Sequence, residues 1–229
     1  MGISVKWLGH ASFEIKADDK TIYIDPYEGE YKDKADLILV SHSHDDHCDT
    51  SKIKKIRKED TLVIAPADCA SKIGGKVKSL KPGEKVSLAD ITVEAVAAYN
   101  YKRFRSPGNP FHPKGFGVGY LIKIGDKTIY HAGDTDFIPE MRNLRNVYLA
   151  LLPSGGTYTM DNHEAAEAAL SIKPQFVIPM HMWNTSPSGL KNDVEAKSKS
   201  SCLNLEKNSQ KIRTSGQFSF FFFGFSHSS

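Results

Sequence analysis

The chain has 229 residues, a formal net charge of +3 and 25% charged residues, a composition typical of soluble globular proteins. So small a charge does not by itself indicate a nucleic-acid partner, and no apolar run reaches the roughly 18 residues that span a membrane. Three widely spaced cysteines do not form a disulfide framework, and the N-terminus lacks the apolar stretch of a signal peptide, so we expect a cytoplasmic protein.

The first part of the chain predicts short strands that lead into a polar cluster. Residues 3–8, 12–17 and 20–26 are rich in β-branched and aromatic residues, which favour strands. Residues 35–41 form a continuous apolar run of strand length, which indicates a buried strand. After the cluster, residues 49–58 have the apolar spacing of a short amphipathic helix.

The rest of the chain predicts strands and hairpins around a second helix. A helical turn is predicted over residues 68–75 and a helix over residues 160–173. Residues 100–116 contain several Pro and Gly and predict a long loop. Strands or hairpins are predicted over residues 61–66, 84–99, 117–135, 147–154 and 175–181.

One segment of the sequence occurs twice. Residues 19–25, DKTIYID, are echoed by residues 126–134, DKTIYHAGD, and each copy precedes an apolar strand, a polar loop and a helix. This shared order favours a duplicated β-rich half over coincidence. Two such halves packed face to face predict an α+β protein, a four-layer αββα sandwich with sheets inside and helices outside.

The C-terminal residues depart from this order. No linker composition appears before residue 185, so residues 1–190 are predicted to form one domain, with residues 191–229 as a separate tail. The tail is polar and then ends in the phenylalanine-rich stretch FSFFFFGF. It predicts either a closing strand or, because it lacks alternation and would aggregate if exposed, a segment foreign to the native chain.

The polar cluster has the form His42-x-His44-x-Asp46-His47 and directly follows the apolar run. Alternate side chains of an extended chain share one face, so the first three can converge, and a turn brings His47 to a second point. Imidazole and carboxylate together suit zinc, with manganese and iron as alternatives, whereas a structural zinc finger would use cysteine. The competing interpretation, a solvated loop with chance histidines, is disfavoured by this spacing.

Together with WLGHASFEI, IYIDP, HAGDT and VIPMH, the cluster resembles the motifs of the metallo-β-lactamase-fold hydrolase superfamily, whose leading motif is H-x-H-x-D-H. More narrowly, residues 3–185 resemble its cytoplasmic branch of zinc-dependent hydrolases. That branch is related to ascorbate-6-phosphate lactonase and, more distantly, to ribonuclease Z and N-acyl-phosphatidylethanolamine phospholipase D. The resemblance implies the metallo-β-lactamase fold and a dinuclear zinc centre.

The resemblance also implies how the cluster divides between two metals. His42 and His44 match ligands of the first metal in the family. Asp46 and His47 match ligands of the second metal. The cluster is thus expected to be half of a two-metal centre that the second half of the chain completes.

Two further ligands are implied in the second half, and one departs from the family pattern. Asp134 matches the aspartate that bridges both metals, and His181 matches the last histidine of the second metal. A turn residue and a buried structural histidine are their respective alternatives. The remaining histidine of the first metal normally stands where this chain has Tyr99-Asn100. His112 either replaces it or is a substrate-contacting or plain loop histidine, in which case a one-metal centre results.

Three residues are expected to support the centre. Asp25 resembles the carboxylate that orients a ligating imidazole, with a strand-end turn residue as the alternative. His10 resembles a histidine of this branch that lies near the metals and donates a proton or holds substrate; a structural histidine is the alternative. His131 either supports the ligands or belongs to the core.

The predicted loop over residues 100–116 adds substrate candidates. Arg103, Arg105 and Lys114 are suitable partners for a phosphate or carboxylate at the rim of the site. The alternative is a basic loop that only faces solvent.

These residues predict a metal-dependent hydrolase that acts on a small anionic ester or lactone, including phosphorylated ones. In this hypothesis two zinc ions supply a metal-bound hydroxide that attacks a carbonyl or phosphoryl centre, Asp134 holds the metals and Asp46 orients the hydroxide. The alternatives are a phosphodiesterase or nuclease of the same fold and a metal-free binding protein. A nucleic-acid partner is not favoured, no membrane partner is expected, and a homo-oligomer is left open.

Overall fold

Two mixed β-sheets carry the fold in this computed structural model, which describes residues 2–197 and the backbone of residues 218–221. In chain order the strands are β1 (Ile3–Gly9), β2 (Ser12–Ala17), β3 (Lys20–Ile24), β4 (Leu37–Leu39), β5 (Leu62–Ile64), β6 (Val77–Lys78), β7 (Lys85–Leu88), β8 (Ile91–Ala98), β9 (Phe104–Ser106), β10 (Asn109–Pro110), β11 (Gly117–Ile124), β12 (Lys127–His131), β13 (Leu149–Pro153), β14 (Phe176–Met180) and β15 (Phe218–Phe221). The helices are α1 (Thr50–Ile56), α2 (Ala67–Ile73), α3 (Asn162–Ile172) and α4 (Ser188–Lys197), with a 3-10 helix at Pro139–Asn143.

The first sheet has the strand order β15-β1-β2-β3-β4-β5-β6 and the second has the order β14-β13-β12-β11-β8-β7. Strands joined by short turns pair antiparallel, as in β1-β2-β3, β7-β8 and β11-β12, and β8 also pairs antiparallel with β11 across the hairpin β9-β10. Helices α1, α2 and α3 connect parallel neighbours, since a parallel pair needs a crossover. The order β11-β12-β13-β14 repeats the pairing of β2-β3-β4-β5, antiparallel once and then parallel twice, in agreement with the duplicated half.

The core shows that the two sheets face each other and carry helices on their outer sides. On β3 and β4, Ile22, Ile24 and Leu37 pack into the main core with residues of the second sheet. The alternate residues Tyr23 and Ile38 point the other way and pack with buried residues of α1. Alanines and Ile172 of α3 cover the second sheet in the same manner. The predicted αββα sandwich is confirmed.

Capping residues fix the N-terminal starts of the two predicted helices. The side chain of Asp49 accepts hydrogen bonds from the backbone of Ser51 and Lys52 at the start of α1. Asp161 caps α3 in a reciprocal arrangement with Glu164. The first cap is close to the polar cluster, so it fixes where the chain leaves the cluster.

Two segments differ from their prediction or extend it. Residues 100–116 are not only loop, because they contain the short hairpin β9-β10, which turns at Gly108 with φ of 75°. Helix α4 continues past Leu190, the predicted end of the domain, and buries that residue together with Val194. Of the tail, β15 pairs in parallel with β1, so a closing strand is present, while residues 198–217 and 222–229 lie outside the described residues. No helix among the described residues is long and apolar enough to cross a bilayer.

Candidate metal centre

The predicted ligands come from separate segments and meet at one edge of the sandwich. The polar cluster follows β4, Asp134 follows β12, and His181 follows β14, each at the carboxyl end of its strand. His10 follows β1 and His112 follows β10 in the same manner. Because β3-β4 and β12-β13 occupy equivalent places in the two sheets, the fold brings both halves of the chain to this edge.

His42, His44 and His112 form the first group of facing nitrogen atoms. His44 Nδ1 lies 3.0 Å from His42 Nε2 and 3.3 Å from His112 Nε2. Asp134 Oδ2 lies 3.9 Å from His42 Nε2 and 3.3 Å from His112 Nε2. Four ligands on tetrahedral bonds of about 2.0–2.1 Å stand roughly 3.3 Å apart, so this spacing suits one zinc ion. The structure therefore brings His112 together with His42 and His44, the two predicted ligands of the first metal.

The second group consists of His10, Asp46, His47 and His181. Asp46 Oδ2 lies 3.1 Å from His10 Nε2 and 3.9 Å from both His47 Nε2 and His181 Nε2. Asp134 reaches this group too, because its Oδ1 is 3.5 Å from His47 Nε2 and its Oδ2 is 3.0 Å from His181 Nε2. Asp134 thus contacts both groups, and it forms a third set of facing ligand atoms with His42 and His47.

Two buried atoms at the centre indicate that the residues fit a metal. His47 Nε2 and Asp134 Oδ1 have no hydrogen-bond partner, although the described residues surround both closely. A buried polar atom without a partner costs free energy, and a bound cation would satisfy both atoms at once. The donors are imidazole nitrogens and carboxylate oxygens, the set that zinc and related metals accept.

The pKa values of the predicted ligands shift in different directions. Burial lowers the pKa of His112 to about 4 and that of His42 well below its usual value. Burial also opposes a charge on His47, but the carboxylates of Asp134 and Asp25 outweigh it and raise the pKa of His47 to about 9. Burial disfavours the Asp46 carboxylate, yet the hydrogen bond with His10 and the nearby His47 lower the pKa of Asp46 to about 2.

Asp25 occupies the place expected of a residue that orients a ligand. Its Oδ2 accepts a hydrogen bond from His47 Nδ1 at 2.8 Å, and both its oxygens accept from Ser41 at 2.6 Å. His131 Nε2 donates to the backbone oxygen of Ala11 at 3.1 Å, and its Nδ1 accepts from Gly133 at 3.2 Å. Asp25 thus holds an imidazole of the second group, whereas His131 holds the turn that leads to Asp134.

Asn100 supports the first group and was missed by the sequence reasoning. Its Oδ1 accepts hydrogen bonds from His112 Nδ1 at 2.7 Å and from His112 N at 2.9 Å. Its Nδ2 donates to Asp136 Oδ1 at 3.0 Å and to the backbone oxygen of Tyr158 at 3.1 Å. These bonds fix the amide orientation, so His112 carries its proton on Nδ1 and keeps Nε2 free. The only signal in the sequence was its place beside Tyr99, where a ligand was missing.

The three predicted substrate cations have different surroundings. Arg103 donates to Asp136 at 2.7 Å and to the backbone oxygen of Gly156 at 2.8 Å, and it also pairs with Glu164. Lys114 pairs with Glu140 at 3.0 Å. The structure brings neither of these two cations into the cavity that adjoins the ligands, whereas Arg105 lines it.

This cavity has a volume of about 420 Å³, a size suited to a small molecule. Its polar lining comes from the two ligand groups and Arg105, and its apolar lining is aromatic. The lining residues are His44, Asp46, Arg105, Phe111, His112, Asp134, Tyr158, His181 and Trp183.

Several residues of the site stand on left-handed backbone. The φ angles are 47° at His10, 44° at Asp25, 51° at His181 and 49° at Trp183. Residues other than glycine rarely adopt this conformation, which clusters at functional sites. The side chains of His10, Asp25 and His181 belong to the ligand groups or bond to them, and Trp183 packs against His10.

Residues 4–181 match a family model described as the beta-lactamase superfamily domain. The chain is 36% identical over 197 residues to a UPF0173 metal-dependent hydrolase of Thermococcus kodakarensis, which covers 81% of this chain and 86% of the relative. A crystal structure from Parabacteroides distasonis, assigned as a metal-dependent hydrolase, superposes with a TM-score of 0.78 at 35% identity over 82% of this chain and 86% of that one. A metallo hydrolase of Ignicoccus hospitalis shares the fold with a TM-score of 0.68 at 24% identity, over 84% and 90% of the two chains.

Proposed function

The chain belongs to the metallo-β-lactamase-fold superfamily, whose relatives here are named metal-dependent hydrolases, and from that premise we propose a two-zinc hydrolase of small anionic esters or lactones. His42, His44 and His112 would hold one metal, and Asp46, His47 and His181 the other. Manganese or iron would fit the same donors. The cytoplasmic location and the kinship to ascorbate-6-phosphate lactonase remain predictions.

The position of Asp134 is the observation that carries this proposal. One carboxylate contacts nitrogen atoms of both ligand groups, at distances from 3.0 to 3.9 Å, and one of its oxygens lacks any other partner among the described residues. When bound, a metal pair lowers the pKa of water so that a nucleophile is available near neutral pH. Asp134 would hold such a pair together.

The residues around Asp134 perform the remaining tasks of hydrolysis. The oxygen of water bonds to the acyl carbon, and the bond from that carbon to the leaving oxygen breaks. Asp46 orients the attacking water, and its hydrogen bond with His10 at 3.1 Å gives the released proton a path. His10 then delivers a proton to the leaving oxygen.

Arg105 and the size of the cavity define the substrate in outline. Arg105 lines the cavity and is exposed, so its guanidinium is available to a carboxylate or phosphate of the substrate. A volume of about 420 Å³ supports a small molecule.

Replacement of the bridging carboxylate tests the proposal. We expect Asp134→Asn to hold fewer than two metal equivalents and to hydrolyse an ester and lactone panel at least about 100-fold more slowly, because an amide bridges two cations poorly. Metal is counted by atomic emission after gel filtration. The matched control is Asp126→Asn, an exposed residue in the turn between β11 and β12. Two metals and full turnover in Asp134→Asn would contradict the proposal.

A further inference from the structure

The cavity beside the ligands has an aromatic lining that the hydrolytic chemistry does not use. We call Phe111, Tyr158 and Trp183 the aromatic rim. Tyr158 is 40% exposed and Trp183 is 58% exposed, and both are among the large apolar side chains that the described residues leave in solvent. Apolar surface is unfavourable in water, and aromatic side chains beside a few polar groups are typical of ligand pockets.

Trp183 is held at the metal ligands and not in the core. Its backbone is left-handed two residues after His181, which shares that conformation, so the chain adopts an unfavourable geometry to place the indole here. The ring centroid lies 4.8 Å from that of His10 and 5.8 Å from that of His181. Its free surface therefore adjoins the place where the reacting bond would lie.

The rest of the rim comes from other segments of the chain and is held by its own contacts. Phe111 and Tyr158 pack edge to face, with ring centroids 4.8 Å apart. The guanidinium carbon of Arg105 lies 5.7 Å from the Phe111 ring centroid, which places a cation beside these rings. The backbone oxygen of Tyr158 accepts from Asn100, the residue that orients His112. This part of the rim is thus tied to the first ligand group.

We propose that the aromatic rim binds a planar aromatic group of the substrate, adjacent to the acyl carbon that is hydrolysed. The substrate class is then aromatic carboxylic esters or lactones, with Arg105 available to an anionic substituent. The hydrolytic step rests on the proposed function, but binding of the ring does not require turnover. A small aliphatic substrate would leave the rim in water.

Calorimetric titration of the metal-loaded protein with benzoate and acetate tests the subsite. The two probes share a carboxylate and differ in the ring, so we expect benzoate to bind at least about tenfold more tightly. Trp183→Ala should remove most of this preference, whereas Trp183→Phe should retain most of it. Phe104→Ala is the matched control, since Phe104 is 45% exposed but does not line the cavity, and it should leave the preference unchanged.

Equal affinity for the two probes, or a preference that survives both Trp183→Ala and Tyr158→Ala at unchanged metal content, would overturn the subsite. Hydrolysis of two anionic esters, the aromatic monomethyl terephthalate and the aliphatic monomethyl succinate, is measured separately. If neither ester is hydrolysed while benzoate binds through the rim, the proposed function fails and the subsite stands. If both are hydrolysed with equal kcat/KM and benzoate shows no preference, the subsite fails alone.

Discussion

The imidazoles of His47 and His112 are both buried at the same centre, but their supporting residues differ in charge. Asp25, a carboxylate, accepts the Nδ1 hydrogen bond of His47 at 2.8 Å, and Asn100, a neutral amide, accepts that of His112 at 2.7 Å. The pKa of His47 is raised to about 9, whereas burial lowers that of His112 to about 4. Near neutral pH the first is protonated without metal and the second is not, so a metal displaces a proton only at the His47 group.

The largest expected effect is a pH dependence that separates the two groups. A metal must replace the proton of His47, whose pKa is about 9, so affinity at that group should rise about tenfold per pH unit from pH 7 to 9. His112, with a pKa of about 4, is already neutral over this range and adds no such dependence. Zinc titrations against a chelator of known affinity would measure both steps. Equal pH slopes for both steps would contradict the claim that metal displaces a proton only at the His47 group.

A smaller effect is expected when the carboxylate of Asp25 is replaced by an amide. Asp25→Asn should weaken one of the two metals by about 10–100-fold and reduce the pH slope of that step, because protonated His47 loses one of the three carboxylates that raise its pKa. Competition titrations of the variant supply both readouts. Asp19→Asn, in an exposed turn, is the control and should leave them unchanged. An unaltered pH slope would show that Asp25 does not raise the pKa of His47.

The smallest effect is expected when Asn100, the neutral residue that supports His112, is replaced. Asn100→Ala should weaken the other metal by about tenfold, near the lower limit for such residues, and leave the pH slope of the His47 step unchanged. Asn109→Ala tests an exposed asparagine of the same segment as a control. The measurement is the same chelator competition. Equal weakening of both steps in Asn100→Ala would mean that the two groups do not act separately.

The sequence predicted the parts of the site that are local in the chain. The cluster from His42 to His47 was predicted because its spacing alone brings the side chains to one edge after a buried strand. The fold class followed from the repeated segment and from the strand and helix periodicity. The cluster depends on residues near one another in the sequence, where backbone geometry decides the outcome, whereas the fold class depends on local patterns that recur along the chain.

Asp134 and His181 were predicted only because their motifs resemble those of the family, whereas the roles of Asn100 and Arg103 were not predictable from the sequence. Asn100 meets His112 only because the hairpin β9-β10 folds back, and the Pro and Gly in this segment did not reveal that hairpin. Arg103 carries the same charge as Arg105, and the positions of Asp136 and Glu164 separate the ion-paired cation from the one that lines the cavity. The roles of such residues depend on partners that no local sequence pattern identifies.

The left-handed backbone at His10, Asp25 and His181 has a consequence for how long the protein survives. Each such residue costs roughly 1–2 kcal/mol, a substantial fraction of the 5–15 kcal/mol that typically stabilises a domain. Bound metal would offset this by linking the two halves of the chain. When metal is scarce, we expect the loops that carry these residues to open first and to be cleaved by proteases, so metal supply would set the protein's lifetime as well as its activity.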